Sequence, residues 1–260
     1  MLTKRLIACF DIVAGRVTKA VQFQDNIDVA PAEGMAEAMY VAHIDELIFY
    51  DITASAEKRG IDIETVKRVA SRVFIPFTVG GGIKTLNDMY EVLKAGAEKV
   101  SVDSMAVRNP QIITEGAKAF GSQCVVLSTQ VKRTPDMPSG YEVYIDGARH
   151  ATGLDAMEWI KRGQELGAGE ICLNSIDNDG TLSGYDLELM KLAENTVTVP
   201  LIASGGAGLP EHLSALFTQT DAQAAIISSM LYSPRMKRNY TPTELKEFLM
   251  QNNINVRTAG

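Results

Sequence analysis

The sequence predicts a single (β/α)8 barrel, an α/β fold of the TIM type, built from two similar halves. Three observations carry this reading: short apolar runs alternate with longer segments of helical period, the runs number eight, and the chain repeats itself at a constant offset. Eight strand–helix units are the number that closes a parallel sheet on itself, and 260 residues is a usual size for one such barrel. An open doubly wound sheet is the competing arrangement, disfavoured by the count of eight. No Pro/Ser-rich linker divides the chain, so residues 1–260 read as one domain with half-barrels at about 1–120 and 121–260.

In chain order the strand candidates are residues 5–9, 46–50, 75–79, 99–102, 124–129, 170–174, 200–203 and 224–227, each short and rich in β-branched or apolar side chains. Between them "TVKRVASRV", "TLNDMYEVLKAGA", "NPQIITEGAKAFG", "AMEWIKRGQELGAG" and "PTELKEFLMQNN" space apolar residues three and four apart, the period of a half-buried helix. Thr85, Asn109 and Thr241 stand just ahead of three of these segments, and their side-chain oxygens suit them as N-caps.

"VFIPFTVGGG" recurs as "VTVPLIASGG", setting Pro76 against Pro200 and Gly81–Gly82 against Gly205–Gly206 at an offset of 124. Glu46 maps to Glu170, "ELIFYDI" to "EICLNSI", and "KVSVDSM" roughly to "QAAIISSM". In the first unit of each half the offset shortens, because the second half carries the longer loop "TPDMPSGYEVY". Matching strand ends then sets Asp11 in "IACFDIVAGR" against Gln130 in "VVLSTQVKR". Two equivalent strand tips face one mouth, and only one carries an acid.

Gly80, Gly81 and Gly82, the pair Gly205 and Gly206, "DNDGT" and "ISSM" each follow a strand directly. Barrel ligands sit at C-terminal strand ends, where glycine lets backbone N–H groups close on a phosphate. Tight turns alone would also use glycine. Its twofold recurrence favours a substrate with a phosphate at each end. At the opposite strand ends stand Arg5, Glu46, Lys99 and Glu170, which suit either structural salt bridges or a ring of alternating charge around the barrel axis.

Composition narrows the partners. A chain with 46% hydrophobic and 22% charged residues can bury a sizeable core. A net charge of −7 and a pI near 5.1 argue against nucleic acid and against an anionic membrane, both of which reward clustered Lys and Arg. The apolar run before Asp11 is too short for a secretory core or a membrane span, so a soluble, cytosolic protein is expected. Cys9, Cys124 and Cys172 lie in strand-like runs without zinc spacing, and His43, His150 and His212 are scattered. Reduced core cysteines, no metal and no cofactor are expected.

Together "DELIFYDITAS", "VFIPFTVGGGI", "FGSQCVV", "GAGEI", "DNDGTLSGYDLELM" and "IASGGAGLPEHL" resemble the cyclase subunit of imidazole glycerol phosphate synthase over nearly the whole chain. The resemblance implies a barrel that docks a glutaminase on its N-terminal face and takes ammonia along its axis. At the C-terminal face it cleaves a bis-phosphorylated aminoimidazole carboxamide ribonucleotide to imidazole glycerol phosphate and a carboxamide ribotide, AICAR. It further implies that Arg5, Glu46, Lys99 and Glu170 form the ammonia entrance. Gly82 and Ser104 fall at one phosphate site, and Asp179, Gly180, Gly206, Ser228 and Ser229 at the other. Asp11 falls at one catalytic aspartate, and Lys19 at the lysine of a mobile substrate loop.

The departures from the family pattern gather at the mouth. Gln130 stands where the family has its second catalytic aspartate, and an amide has no proton to give near neutral pH. It retains the capacity to position a ligand. The loop reads "NIDVAPAE", with Ala30 for glycine and Pro31 for aspartate; Ala20 follows Lys19 in place of glycine. Asp103 replaces an asparagine beside the first phosphate, an unfavourable charge unless a cation intervenes. His43 and Ile44 replace glycine and alanine, while Asp45 and Glu98 offer acidic contacts to a basic glutaminase.

Three readings follow: a cyclase subunit, slowed by Gln130 and the altered loop; a diverged conduit that hands glutaminase-derived ammonia to a third protein, for example in amidated surface-sugar (lipopolysaccharide) biosynthesis; and a sugar-phosphate isomerase. The last needs an acid–base pair at Asp11 and position 130, which Gln130 does not provide.

Overall fold

A computed structural model of the chain describes residues 3–21, 24–53, 60–234 and 236–258. In chain order its elements are β1 (Arg5–Val13), β2 (Arg16–Val21), β3 (Gln24–Pro31), α1 (Ala32–Val41), β4 (Glu46–Asp51), α2 (Ile63–Ala70), β5 (Phe77–Gly80) and α3 (Leu86–Lys94). Next come β6 (Lys99–Val102), α4 (Ser104–Arg108), α5 (Gln111–Phe120), β7 (Val125–Arg133), β8 (Tyr141–Ile145), β9 (His150–Asp155) and α6 (Ala156–Leu166). The chain finishes with β10 (Glu170–Ser175), α7 (Leu187–Glu194), β11 (Leu201–Ser204), α8 (Pro210–Gln219), β12 (Ala224–Ile227), α9 (Ser229–Tyr232) and α10 (Pro242–Gln251).

Eight parallel strands run β1-β4-β5-β6-β7-β10-β11-β12, and β12 pairs back onto β1, which closes the (β/α)8 barrel. Period-two alternation sorts the side chains. Ile7, Ile48, Val126, Cys172, Ile202, Ala224 and Ile226 face inward and make a small core of their own, with Cys9 and Tyr50 packed against it. The larger cluster, including Phe10, Leu47, Phe49, Phe77 and Leu127, fills the layer between strands and helices.

The internal repeat survives in the pairing. Leu47 pairs with Phe77, and Ile171 with Leu201, each residue displaced by 124. The first strand of each half runs on past the barrel into antiparallel strands, β2 and β3 after β1, and β8 and β9 after β7. Asp11 lies opposite Tyr50 and Gln130 opposite Asn174, and because Tyr50 and Asn174 are repeat mates 124 apart, the two strand tips occupy equivalent positions.

Several expectations change in detail. The segment expected as a mobile loop, "NIDVAPAE", forms most of strand β3, which pairs with β2 from Pro31 to Gln24. The longer loop of the second half is the hairpin of β8 and β9. Thr85 and Thr241 are N-caps with capping boxes, whereas Asn109 closes α4 and Pro110 precedes α5, so Asn109 caps no helix start. Helices α1, α4, α7, α8 and α9 add to the five segments that periodicity marks; α1 is rich in alanine, which blurs its apolar stripe.

Candidate active site

At the N-terminal end of the barrel four side chains from β1, β4, β6 and β10 meet on the axis. Arg5 reaches Glu46 at 2.6 Å and Glu170 at 2.9 Å, and Lys99 reaches the same two at 3.3 and 2.8 Å. Each cation touches both acids, so the charges alternate around a closed ring, with side chains only 7–15% exposed. The four thus meet both descriptions the sequence leaves open, pairing as salt bridges and closing a ring on the axis. Its strand-start positions put all four inside, in step with the inward residues above them. Asp45, expected as an outward contact, is instead buried: it takes the Lys246 ammonium at 2.7 Å and the Leu6 N–H at 2.8 Å. Glu98 accepts the Phe77 N–H at 2.7 Å.

Above the ring the lumen is apolar and then briefly polar. Tyr50 directs its hydroxyl to Ser101 at 3.4 Å and Ser128 at 3.3 Å. Its ring lies so near Gly80 that a Cβ there would fall 2.7 Å from a ring carbon. Burial pushes the Tyr50 phenol well above its usual range and the Cys172 thiol up to about 12, so both stay neutral. The sequence names none of these as site residues, although alternation from Glu46 through Ile48 points Tyr50 inward. Among the described residues no cluster of His, Cys, Asp and Glu could hold a metal.

The mouth carries Asp11 on β1 and Gln130 on β7, strands that lie across the barrel from one another in the order of pairing. Gln130 donates its amide N–H to Asp103 at 2.8 Å, while its other amide atom, Oε1, is buried without a partner. Asp103 ends β6, the strand beside β7. Burial pushes its carboxyl up to about 7; the Gln130 hydrogen bond and Arg108 pull it down, and Asp146 pushes it up. Arg108, the cation that acts on it, is engaged by Asp146 at 2.5 Å, and Asp146 also takes His150 at 3.1 Å. The charge problem foreseen at Asp103 is met by an amide and by a shift toward the neutral acid.

The glycine turns surround this mouth. Gly81, Gly82, Gly180, Gly205 and Gly206 all have positive φ, between 72° and 99°. A Cβ at Gly81 would collide with the Asp51 carbonyl, and one at Gly205 with that of Ser175 at 2.8 Å, residues again 124 apart. Part of the glycine signal is therefore structural, since each turn is pressed onto the end of the preceding strand. The loop with Asp179 and Gly180 is tied to the β11 turn by the Gly184 N–H on Gly206 at 2.8 Å. Ser228 and Ser229 open α9, and Asp103 and Ser104 stand in the same place before α4. The Ser104 hydroxyl accepts the Asp146 N–H at 2.9 Å. Lys19 lies on β2 opposite Ile27; its side chain falls outside the described residues.

The comparisons with known proteins agree on one family. The model described as "Histidine biosynthesis protein" matches residues 5–237. The "Imidazole glycerol phosphate synthase subunit HisF" of Desulfatibacillum aliphaticivorans is 52% identical over 260 residues, 99% of this chain and 98% of that protein. The subunit of the same name from Desulfosudis oleivorans is 52% identical over 260 residues, 99% of each. That of Nitratidesulfovibrio vulgaris is 53% identical over 235 residues, 89% of this chain and 91% of its own.

Proposed function

The chain belongs to the histidine-biosynthesis protein family, as a cyclase-type, lyase subunit of imidazole glycerol phosphate synthase, and we propose the following division of labour along its barrel. Ammonia enters at the ring of Arg5, Glu46, Lys99 and Glu170, passes the neutral lumen lined by Ile48, Tyr50 and Ser101, and reaches the mouth. There the bis-phosphorylated aminoimidazole carboxamide ribonucleotide is anchored at both ends. Gly82 and Ser104 hold one phosphate, and Asp179, Gly180, Gly206, Ser228 and Ser229 hold the other. Lys19 on β2 closes on the bound substrate, and Asp11 handles protons at the β1 side. Gln130 orients the substrate by hydrogen bonds and gives no proton itself.

A glutaminase subunit docks on the N-terminal face. Supporting this, Phe74 is 81% exposed and Val41 69% exposed in the segments that lead into β5 and β4, beside the strand starts that carry the ring. Large apolar side chains left in water at one face suit a protein partner. No helix among the described residues is long and apolar enough to cross a membrane, which is compatible with work in the cytosol on soluble phosphorylated substrates.

The observation that carries this reading is the pair of equivalent glycine turns around one end of an axis whose other end is the charged ring. The test supplies the purified chain with ammonium salt and the ribonucleotide and follows the loss of substrate absorbance. Ammonium-dependent turnover to imidazole glycerol phosphate is expected. Gln130 favours a second reading, in which the barrel only passes ammonia to a third protein; substrate that is neither bound nor consumed, with a glutaminase still retained, would favour that conduit.

A further inference from the structure

We propose that Asp103, held by Gln130, is the proton-handling group on the β7 side of the mouth, so that the acid absent from the tip of β7 stands on the tip of β6. The proposal rests on the cyclase reading and adds a residue to it.

Position comes first. Asp103 directly follows β6, Gln130 lies in its parallel neighbour β7, and the two meet at 2.8 Å, amide N–H to carboxylate oxygen. A carboxyl on β6 therefore sits one hydrogen bond from the side chain that faces Asp11 across the barrel. In the second half the equivalent place before α9 is Ser228, a neutral hydroxyl. Nothing about the turn itself demands an acid.

Protonation comes next. The charged groups acting on Asp103 are Asp146, in the turn between β8 and β9, and Arg108, at the end of α4, which already spends its charge on Asp146; the buried thiol of Cys172 also faces it and stays neutral. Burial dominates and brings the carboxyl to about 7. A group balanced near neutral pH suits both giving and taking a proton. Gln130 adds orientation: its amide N–H fixes one carboxylate oxygen, and its buried, unpartnered Oε1 offers an acceptor to a substrate N–H or O–H.

The proton ledger closes within the site. The conversion takes up one ammonia, breaks the C–N bond that releases the carboxamide ribotide, and loses one water. Asp103 in its acid form gives a proton to the departing nitrogen as that bond breaks, becoming a carboxylate. It then recovers a proton from the incoming ammonia nitrogen as the ring closes, and ends as the acid it began.

The test uses the full chain with ammonium salt as nitrogen source, the ribonucleotide as substrate, and calorimetry to follow substrate binding separately from turnover. Asp103→Asn, a near-isosteric change, is expected to lower kcat by roughly 10²–10⁴-fold while leaving substrate affinity within a few-fold. It should also abolish an ionisation near 7 in the kcat profile of the unaltered chain. Exchanging the pair, Asp103→Asn with Gln130→Asp, is expected to restore most of kcat; the lost ionisation is the readout that a purely structural role for Asp103 would not move. Full activity and an unchanged pH profile in Asp103→Asn would overturn the proposal. So would an unaltered chain that binds substrate without turning it over and gains activity on Gln130→Asp alone or on the exchange. An unaltered chain that fails to bind substrate at all would overturn instead the cyclase reading on which the proposal rests.

Discussion

Asp103 and His43 each hold a conformation or charge state that their position resists, and both have measurable consequences for stability. The Asp103 carboxyl titrates near 7 in the fold against an ordinary 3.8. Between those values the unfolded chain has already lost the proton that the folded chain keeps, so stability falls as pH rises through that window. Asparagine at 103 carries no such penalty. Asp103→Asn should therefore match the unaltered chain near pH 4 and exceed it by roughly 1–2 kcal/mol at pH 8, allowing for the residue's partial access to solvent. Urea midpoints measured across that range decide it, and parallel curves for the two proteins would contradict the assigned shift. His43, exposed at the end of α1, has φ of 65°, a region that glycine enters without steric cost. His43→Gly should raise stability by about 0.5–1 kcal/mol, read as a small upward move in Tm. At this scale the missing acid at 130 is legible in the sequence, because the repeat marks where it belongs. The hydrogen bond from Gln130 to Asp103 is not, since it joins the tips of neighbouring strands 27 positions apart.

At the scale of elements, the extension of β7 is locked down by a side chain that the sequence does not single out. Asp186, the N-cap of α7, accepts the Leu189 N–H, the Tyr141 hydroxyl at 3.0 Å and the Arg133 guanidinium at 3.1 Å. Arg133 also lies 4.9 Å over the Tyr141 ring and reaches Glu188 at 2.6 Å. One buried carboxylate thus ties β7, β8 and α7 together, which fixes the strand whose tip carries Gln130. Asp186→Ala removes a cap and two partners at once and should cost about 3 kcal/mol; urea unfolding measures it, and a loss within about 0.5 kcal/mol would show that the latch is idle. The barrel strands are readable because their apolar runs are short and bounded. The ribbon β2–β3 is not, because "NIDVAP" pairs by backbone hydrogen bonds along an exposed edge and carries no steady alternation. Helix α1 hides for a related reason: it buries only alanines.

On the scale of the whole molecule, one axis joins a charged ring to a pair of glycine turns, and the twofold repeat accounts for both. Glu46 and Glu170 are repeat mates in the ring, as Gly82 and Gly206 are at the mouth. In the ring two acids share two cations at low exposure, so removing one cation leaves carboxylates under-compensated. Lys99→Met should cost about 2–4 kcal/mol; a thermal melt that does not move would mean the ring is loosely solvated. The eight strands, the repeat and the ring positions can all be read from sequence, since each is a periodic or repeated pattern. The neutral lining of Tyr50, Ser101 and Ser128 and the hydrogen bond between Gln130 and Asp103 depend on which strands become neighbours. The central claim, a mouth built to grip one phosphate at each of two equivalent turns, is most directly tested by calorimetry. The bis-phosphorylated ribonucleotide is compared there with imidazole glycerol phosphate and AICAR, each of which carries a single phosphate. Linking two anchors in one ligand should make the ribonucleotide bind at least about 10²-fold more tightly than either product, with Ser104→Ala and Ser229→Ala each eroding that advantage. A ribonucleotide that binds no better than its tighter product would contradict it.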